Sequence, residues 1–203
     1  MRGKLTVLMI TAFVDMLGLA MIIPLLPFYA TKMGASATIV GVLIAAFSVA
    51  QLASAPLWGR VSDRYGRRPA LLSGLLVSAV AYVIFAYAST IWLLLLSRIV
   101  QGLGGGTIGV VQAYVADASD PNDRAKSLGW LSAATSLGAV VGPAIGSGLI
   151  HWGHHAPGIA SAIFCVLVSV FASIGPICRS ASISLAPATS RSTGPAGFGG
   201  AFA

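Results

Sequence analysis

Charge is absent from long stretches of this chain, and that absence decides what it can fold into. Residues 37–58 carry no charged side chain and neither do residues 70–89. Each run has the length that crosses a hydrocarbon core of about 30 Å as a helix. Between them lies Gly59-Arg60-Val61-Ser62-Asp63-Arg64-Tyr65-Gly66-Arg67-Arg68-Pro69-Ala70-Leu71, with four arginines and one aspartate. This stretch reads as a tight loop between two membrane helices. Gly59 and Gly66 permit backbone conformations closed to other residues, and Pro69 suits the first turn of the helix that follows. With 57% hydrophobic and 8% charged residues over 203 positions, the chain lacks the polar surface of a soluble globule. The fold class expected is all-α, a polytopic bundle of six transmembrane helices set in the lipid bilayer.

The remaining spans follow in order. Residues 5–28 form an apolar run too long for the apolar core of a signal peptide and interrupted by Asp15, so it reads as an uncleaved first helix. Residues 37–58, 70–89, 91–116, 127–150 and 158–177 supply the other five, with loops at 29–36, 117–126 and 151–157. Arg2, Lys4, Arg60, Arg64, Arg67, Arg68, Arg124, Lys126 and Arg179 fall on one side and only Lys32 on the other. The positive-inside rule then places both termini in the cytoplasm of a multi-pass cell-membrane protein. The net charge of +7 belongs to these short loops and not to one polar face, so a nucleic-acid partner is not expected.

Four sets of residues stand out. Asp15 lies about 15 Å into the first helix, and Arg98 about 11 Å in from the outer end of the fourth, so the two sit at similar depth. A charge there costs about 2.5–3.5 kcal/mol on insertion scales and needs a partner, an aqueous cavity or a proton. Gln51 and Gln101 add hydrogen-bonding capacity, either to a cavity or to helix packing. Gly102, Gly106, Gly105 and Gly109, and then Gly138, Gly142 and Gly146, recur one turn apart and invite close backbone approach, while Pro143 should kink the fifth helix. Asp117 ends the fourth helix, where the helix dipole disfavours an anion, and Arg67 or Arg64 is the natural cation to offset it. His151, His154 and His155 cluster beside Trp152 and read as interfacial in preference to metal-binding. Cys165 and Cys178 share one span about 20 Å apart, too far for a disulfide. No nucleophile elbow, phosphate loop or metal-ligand spacing is present, so neither enzyme nor cofactor is expected.

The pattern G-x-x-x-D-R-x-G-R-R-x-x-L at Gly59–Leu71 resembles the signature between the second and third helices of the major facilitator superfamily. Arg98-Ile99-Val100-Gln101-Gly102 resembles that family's fourth-helix motif. The run Gly138, Gly142-Pro143 and Gly146 resembles the fifth-helix motif of its proton-coupled antiporters. Asp15-Met16-Leu17-Gly18 with Ile23-Pro24-Leu25-Leu26-Pro27, and Ala113-Tyr114-Val115-Ala116-Asp117 with Asp123-Arg124-Ala125, resemble its multidrug and tetracycline exporters. The resemblance implies efflux of small amphipathic drugs in exchange for protons, driven by the proton gradient. It implies that Asp15, Arg98, Gln101 and Gln51 line the pathway, with Asp15 and Arg98 able to pair across a shared cavity. It also implies that Gly59, Asp63, Arg64, Gly66, Arg67 and Asp117 act as a gating latch.

Transporters of this family usually have twelve helices in two halves, with substrate held between them. Six spans, expected within residues 1–178, correspond to one half, and residues 179–203 are rich in Ser, Ala, Gly and Pro and read as disordered. A truncated product and a half that pairs with a second chain or second copy are both compatible with this. A third reading is a membrane protein without transport activity, a remnant or a regulatory partner of a full-length transporter.

Overall fold

The computed structural model of the chain describes residues 2–174, so the tail, Arg179 and Cys178 lie outside the described residues. Helices α1 (Arg2–Ile22), α2 (Leu25–Lys32), α3 (Ala37–Tyr65), α4 (Arg67–Ala86), α5 (Ile91–Gly105), α6 (Ile108–Asp117), α7 (Arg124–Leu149) and α8 (Ala156–Ile174) follow in order, and a 3-10 turn over Ile150–Trp152 extends α7. Among the described residues they make six segments long and apolar enough to cross a membrane. The fold class is therefore all-α, a bundle of six membrane spans.

Two spans are broken where the sequence weakens the helical ladder. In the first, Pro24 has no N–H to donate, and the chain turns at Ile23 and Pro24 between α1 and α2. In the fourth, Gly104, Gly105 and Gly106 carry the largest helix cost of any residue but proline, and Gly106 and Thr107 form a turn between α5 and α6. The Thr107 hydroxyl donates to the Gly104 carbonyl across that turn (3.1 Å). Elsewhere side chains fix the starts. Ser36 accepts from Ile39 N–H (3.4 Å) and Thr90 from Leu93 N–H (3.3 Å), the N-cap bonds expected of these residues.

The stretch expected to be a loop at residues 59–71 is mostly helix. α3 runs straight through Gly59 to Tyr65, and α4 starts at Arg67. Gly66 alone leaves the helical region, with φ 96° and ψ 157°, a conformation that only glycine adopts without strain. Gly59 meets no neighbour within 4 Å of a built Cβ, so nothing there demands glycine or breaks the helix. Pro69 sits in the first turn of α4, as its missing N–H requires. The fifth span is likewise unbroken through Pro143.

Packing divides the spans into two kinds. α1 lies against α7 and α8, α4 against α5 and α8, and α3 against α5. One core cluster, with Leu26, Leu43, Tyr82, Phe85, Leu94 and Cys165, fills the end that carries Lys32. A second, with Leu8, Leu71, Leu75, Val115, Leu131 and Val168, fills the end that carries Arg67. About half of the first, third and fourth spans is buried, but only 22% of the second and 17% of the fifth. Val49, Leu52 and Leu57 on α3, and Leu137 and Val140 on α7, are exposed.

Candidate functional site

The sequence places one acidic residue inside the spans, and the structure gives it a cavity. Asp15 on α1 lines a space of about 100 Å³ together with Thr11 and Met16 of the same helix, Leu71 and Leu75 of α4, Val111 and Gln112 of α6, and Leu131, Ser132 and Thr135 of α7. Thr107, at the turn between α5 and α6, also lines it. Thr11 precedes Asp15 by one helical turn, so both fall on one face of α1. Among the described residues the Asp15 carboxylate has neither a salt bridge nor a hydrogen bond.

Arg98 is not its partner, contrary to the pairing that the sequence suggested. Arg98 is 2% exposed, and its guanidinium stacks 5.2 Å from the Phe85 ring centroid. Its Nε and one Nη have no hydrogen-bond partner. The reason lies on α4. The Tyr82 ring packs on Gly18, where a built Cβ would approach its Oη to 3.2 Å, and so covers the face of α1 one turn beyond Asp15. Gln101 is also 2% exposed, and its amide lies beside Tyr82 without reaching hydrogen-bond geometry. Gln51, in contrast, bridges helices, its side-chain N–H donating to the Gly105 carbonyl (3.1 Å). Trp58 donates to the Leu103 carbonyl and Ser54 to that of Gly102, so three side chains of α3 cap the weakened end of α5.

A second charged set stands at the Gly66 turn. Arg67 Nη1 lies 3.2 Å from Asp63 and Arg67 Nε 3.3 Å from Asp117, while Nη1 also donates to the Ser62 hydroxyl (3.0 Å). Arg124, at the start of α7, approaches Asp117 at 4.0 Å. Arg67 is thus the cation that offsets Asp117 at the end of α6, with Arg124 as a second. Arg64 instead lies over the Tyr65 ring, 5.6 Å from its centroid. Arg68 turns the other way and donates to the Ser173 carbonyl on α8.

The glycines close the bundle from within. A Cβ on Gly138 would fall 2.6 Å from the Phe13 carbonyl oxygen, on Gly142 2.7 Å from Ala20 Cβ, and on Gly146 2.7 Å from the Met21 carbonyl oxygen. Gly102 and Gly106 meet α3 in the same way, at 2.4 Å from the Phe47 carbonyl oxygen and 2.5 Å from Trp58. These faces are therefore occupied by α1 and α3, the close approach that the turn-spaced glycines invite. Gly109 alone of the set has nothing within 4 Å.

At the opposite end, Tyr29 donates to the His154 carbonyl (2.7 Å), His155 Nδ1 bonds the Ala86 carbonyl, and the His155 ring stacks on Tyr87. These contacts tie the 5–6 connection to the ends of α2 and α4. Among the described residues no three His, Cys, Asp or Glu side chains gather as a metal site would need.

Sequence reasoning missed Thr11, Thr107, Gln112, Thr135 and Tyr82, and it named Arg124 as a loop cation and in the family resemblance but not as a partner of Asp117. Thr11 and Arg124 carried a usable signal, one by its turn-spacing from Asp15 and the other by following Asp117 across a six-residue connection.

Comparison with known proteins agrees with this architecture. The Major Facilitator Superfamily profile matches residues 8–191. The class C tetracycline resistance protein of Escherichia coli is 39% identical over 80% of this chain and 42% of its own length. Multidrug resistance protein 1 of Bacillus subtilis is 34% identical over 82% of this chain and 43% of its own. The crystal structure of the human organic anion transporter MFSD10 (TETRAN) superposes with a TM-score of 0.71 at 28% identity, covering 84% of this chain and 46% of that one. The chain thus spans about two fifths of the length of the curated relatives it matches. With its six membrane spans, its Gly66 turn and its glycine-closed helix pairs, the chain belongs to the major facilitator superfamily, a family of membrane transporters and not of enzymes.

Proposed function

We propose that these spans form one six-helix unit of a proton-coupled exporter of small amphipathic drugs, tetracycline-like compounds among them. The observation that carries this is Asp15. Of five acidic residues, Asp63, Asp117, Asp120 and Asp123 lie at or next to the basic end, and only Asp15 lies deep within a span, where it lines a cavity. A carboxylate so placed without a fixed cation is able to exchange a proton. The names of the tetracycline and multidrug resistance relatives give the substrate class. Nearly all the loop cations lie at the Arg67 end, so that end and both termini face the cytoplasm of the cell membrane.

In this reading the Arg67, Asp63, Asp117 and Arg124 cluster holds the inward side shut and opens during alternating access. The Gly138, Gly142, Pro143 and Gly146 run lets α7 ride closely on α1 as it does so. Arg98 and Gln101 tune the field around Tyr82 and Asp15 without binding either. The exposed faces of α3 and α7 receive a second six-helix unit, which completes the drug site between the two. A chain completed with the second half of a relative should move a fluorescent cationic dye against an outside-acid gradient, and Asp15→Asn should abolish this while membrane abundance stays unchanged. Dye movement that survives Asp15→Asn would remove the proton-exchange role.

The exposure of α3 and α7 favours one further statement, that these six spans by themselves transport nothing and act at most as a partner of a longer transporter. Purified chain in liposomes should then show no gradient-dependent dye movement beyond empty vesicles.

A further inference from the structure

We propose that a second pocket, at the basic end of the bundle, is a loading site for an amphipathic zwitterion of drug size, with tetracycline as the type. The substrate class rests on the exporter reading above, but the site shares no residue with the Asp15 cavity. The pocket, about 460 Å³, lies between the start of α1, the connection after α6 and the first turns of α7. Asp123, Lys126, Ser127 and Trp130 recur at helical spacing and so fall on one face where α7 begins. Leu5 and Met9, one turn apart on α1, add an apolar wall. The charge bias makes this end cytoplasmic, the side on which an exporter meets its cargo.

The polar groups of this pocket are uncommitted. Asp123 is the N-cap of α7, where an aspartate ordinarily accepts from the helix's own N–H groups, yet its side chain makes no cap bond. Asp120, Asp123 and Lys126 line one space, and among the described residues none of the three joins an ion pair. The two signs of charge thus stand apart, and a ligand that carries both on one frame spans the gap. Ser127 is 7% exposed, and among the described residues its hydroxyl has no hydrogen-bond partner. Ser119 gives its hydrogen to the Val115 carbonyl (2.7 Å) and has only lone pairs to offer. An ammonium is therefore drawn to Asp120, Asp123 and Ser119, acidic oxygens to Lys126 and Ser127, and a ring face to Trp130, which is 60% exposed. Tetracycline carries these three features, a dimethylammonium and acidic enols on a ringed frame. The volume falls within the roughly 300–1,000 Å³ that houses such a ligand. A plain cation meets Lys126 and a plain anion meets two carboxylates, so each is disfavoured against the zwitterion.

Tetracycline is the probe, followed by its own fluorescence on the purified full chain in nanodiscs of phosphatidylcholine and phosphatidylglycerol, with a chelator keeping it metal-free. Saturable binding at one drug per chain, beyond empty discs, is expected. Asp120→Asn with Asp123→Asn should weaken it about tenfold or more, and Lys126→Gln about tenfold, the worth of a contact to a charged group. Should the double variant fold poorly, Lys126→Gln still decides. Absence of saturable binding overturns the site, as does binding unchanged by Lys126→Gln. Tighter binding of ethidium, a plain cation, or of anilinonaphthalene sulfonate, a plain anion, overturns the zwitterion. Loss of binding with Asp15→Asn and not with the loop variants would move the drug to the other cavity. Loss in discs that contain phosphatidylethanolamine would make a lipid headgroup the occupant, and either result overturns the proposal. Tetracycline binding without dye movement in the completed transporter would count against the exporter reading alone, and dye movement without tetracycline binding against this site alone.

Discussion

Two regions hold neighbouring spans together by opposite means. Along α1 and α7, at Gly138 and Gly146, and between α3 and α5, at Gly102, glycine brings the helix directly onto a neighbouring backbone. At the Gly66 turn, Arg67 joins α3 to α6 through two carboxylates that are more than half exposed to solvent. The first kind of contact tolerates no displacement, because van der Waals gain and steric clash are separated by a few tenths of an ångström. The second is screened by water and salt, and each exposed pair contributes under about 1 kcal/mol. Rigid pairing and releasable pairing are therefore built from different residues.

Substitutions can break this contrast, and the largest effect belongs to the backbone contacts. Gly138→Leu puts atoms where the Phe13 carbonyl stands, and a backbone atom cannot rotate aside. A loss above about 3 kcal/mol is expected, read as collapse of the yield of folded protein in detergent. Gly106→Ala clashes instead with Trp58 and the Ser54 hydroxyl, which are able to move. A cost of about 1–3 kcal/mol in denaturant unfolding is expected, and equality with Gly138→Leu would show that side chains yield no more than backbone here.

The charged cluster should respond less. Arg67→Ala strips Asp63 and Asp117 of their nearest cation, with a loss of about 1–2 kcal/mol at low salt that shrinks in high salt. A loss insensitive to salt would mean that this cluster is held like the glycine contacts. Smallest of all, Gly109→Ala has open space around it and removes a helix-weakening residue. It should be neutral or stabilising by up to about 1 kcal/mol, and a destabilisation would reveal a contact absent from this conformation.

What the sequence disclosed follows from what each feature depends on. Spans need only length and apolarity, so all six were legible, and turn-spaced glycines marked close packing before any partner was known. Gly66 was legible as a turn because glycine alone suits it, yet Gly59 was misread, since a glycine inside a helix leaves the same letter as one in a loop. The Asp15 and Arg98 pairing failed for a different reason. Depth along a helix can be counted, but the direction around it that Tyr82 blocks depends on a residue from a third span. Thr107 and Thr135 were invisible likewise, because only the fold brings them to the cavity beside Asp15.

The turn at Gly106 and Thr107 has a mechanical consequence. α6 beyond it is ten residues, about 15 Å of rigid rod, with Asp117 at its tip. Tilting that rod by about 10° about its root would swing the tip by about 2.6 Å, nearly the length of an ion contact. The same rotation would scarcely shift Thr107, which sits at the fulcrum against the Asp15 cavity. A small change of angle at the pivot is thus magnified at one end of the lever and hidden at the other.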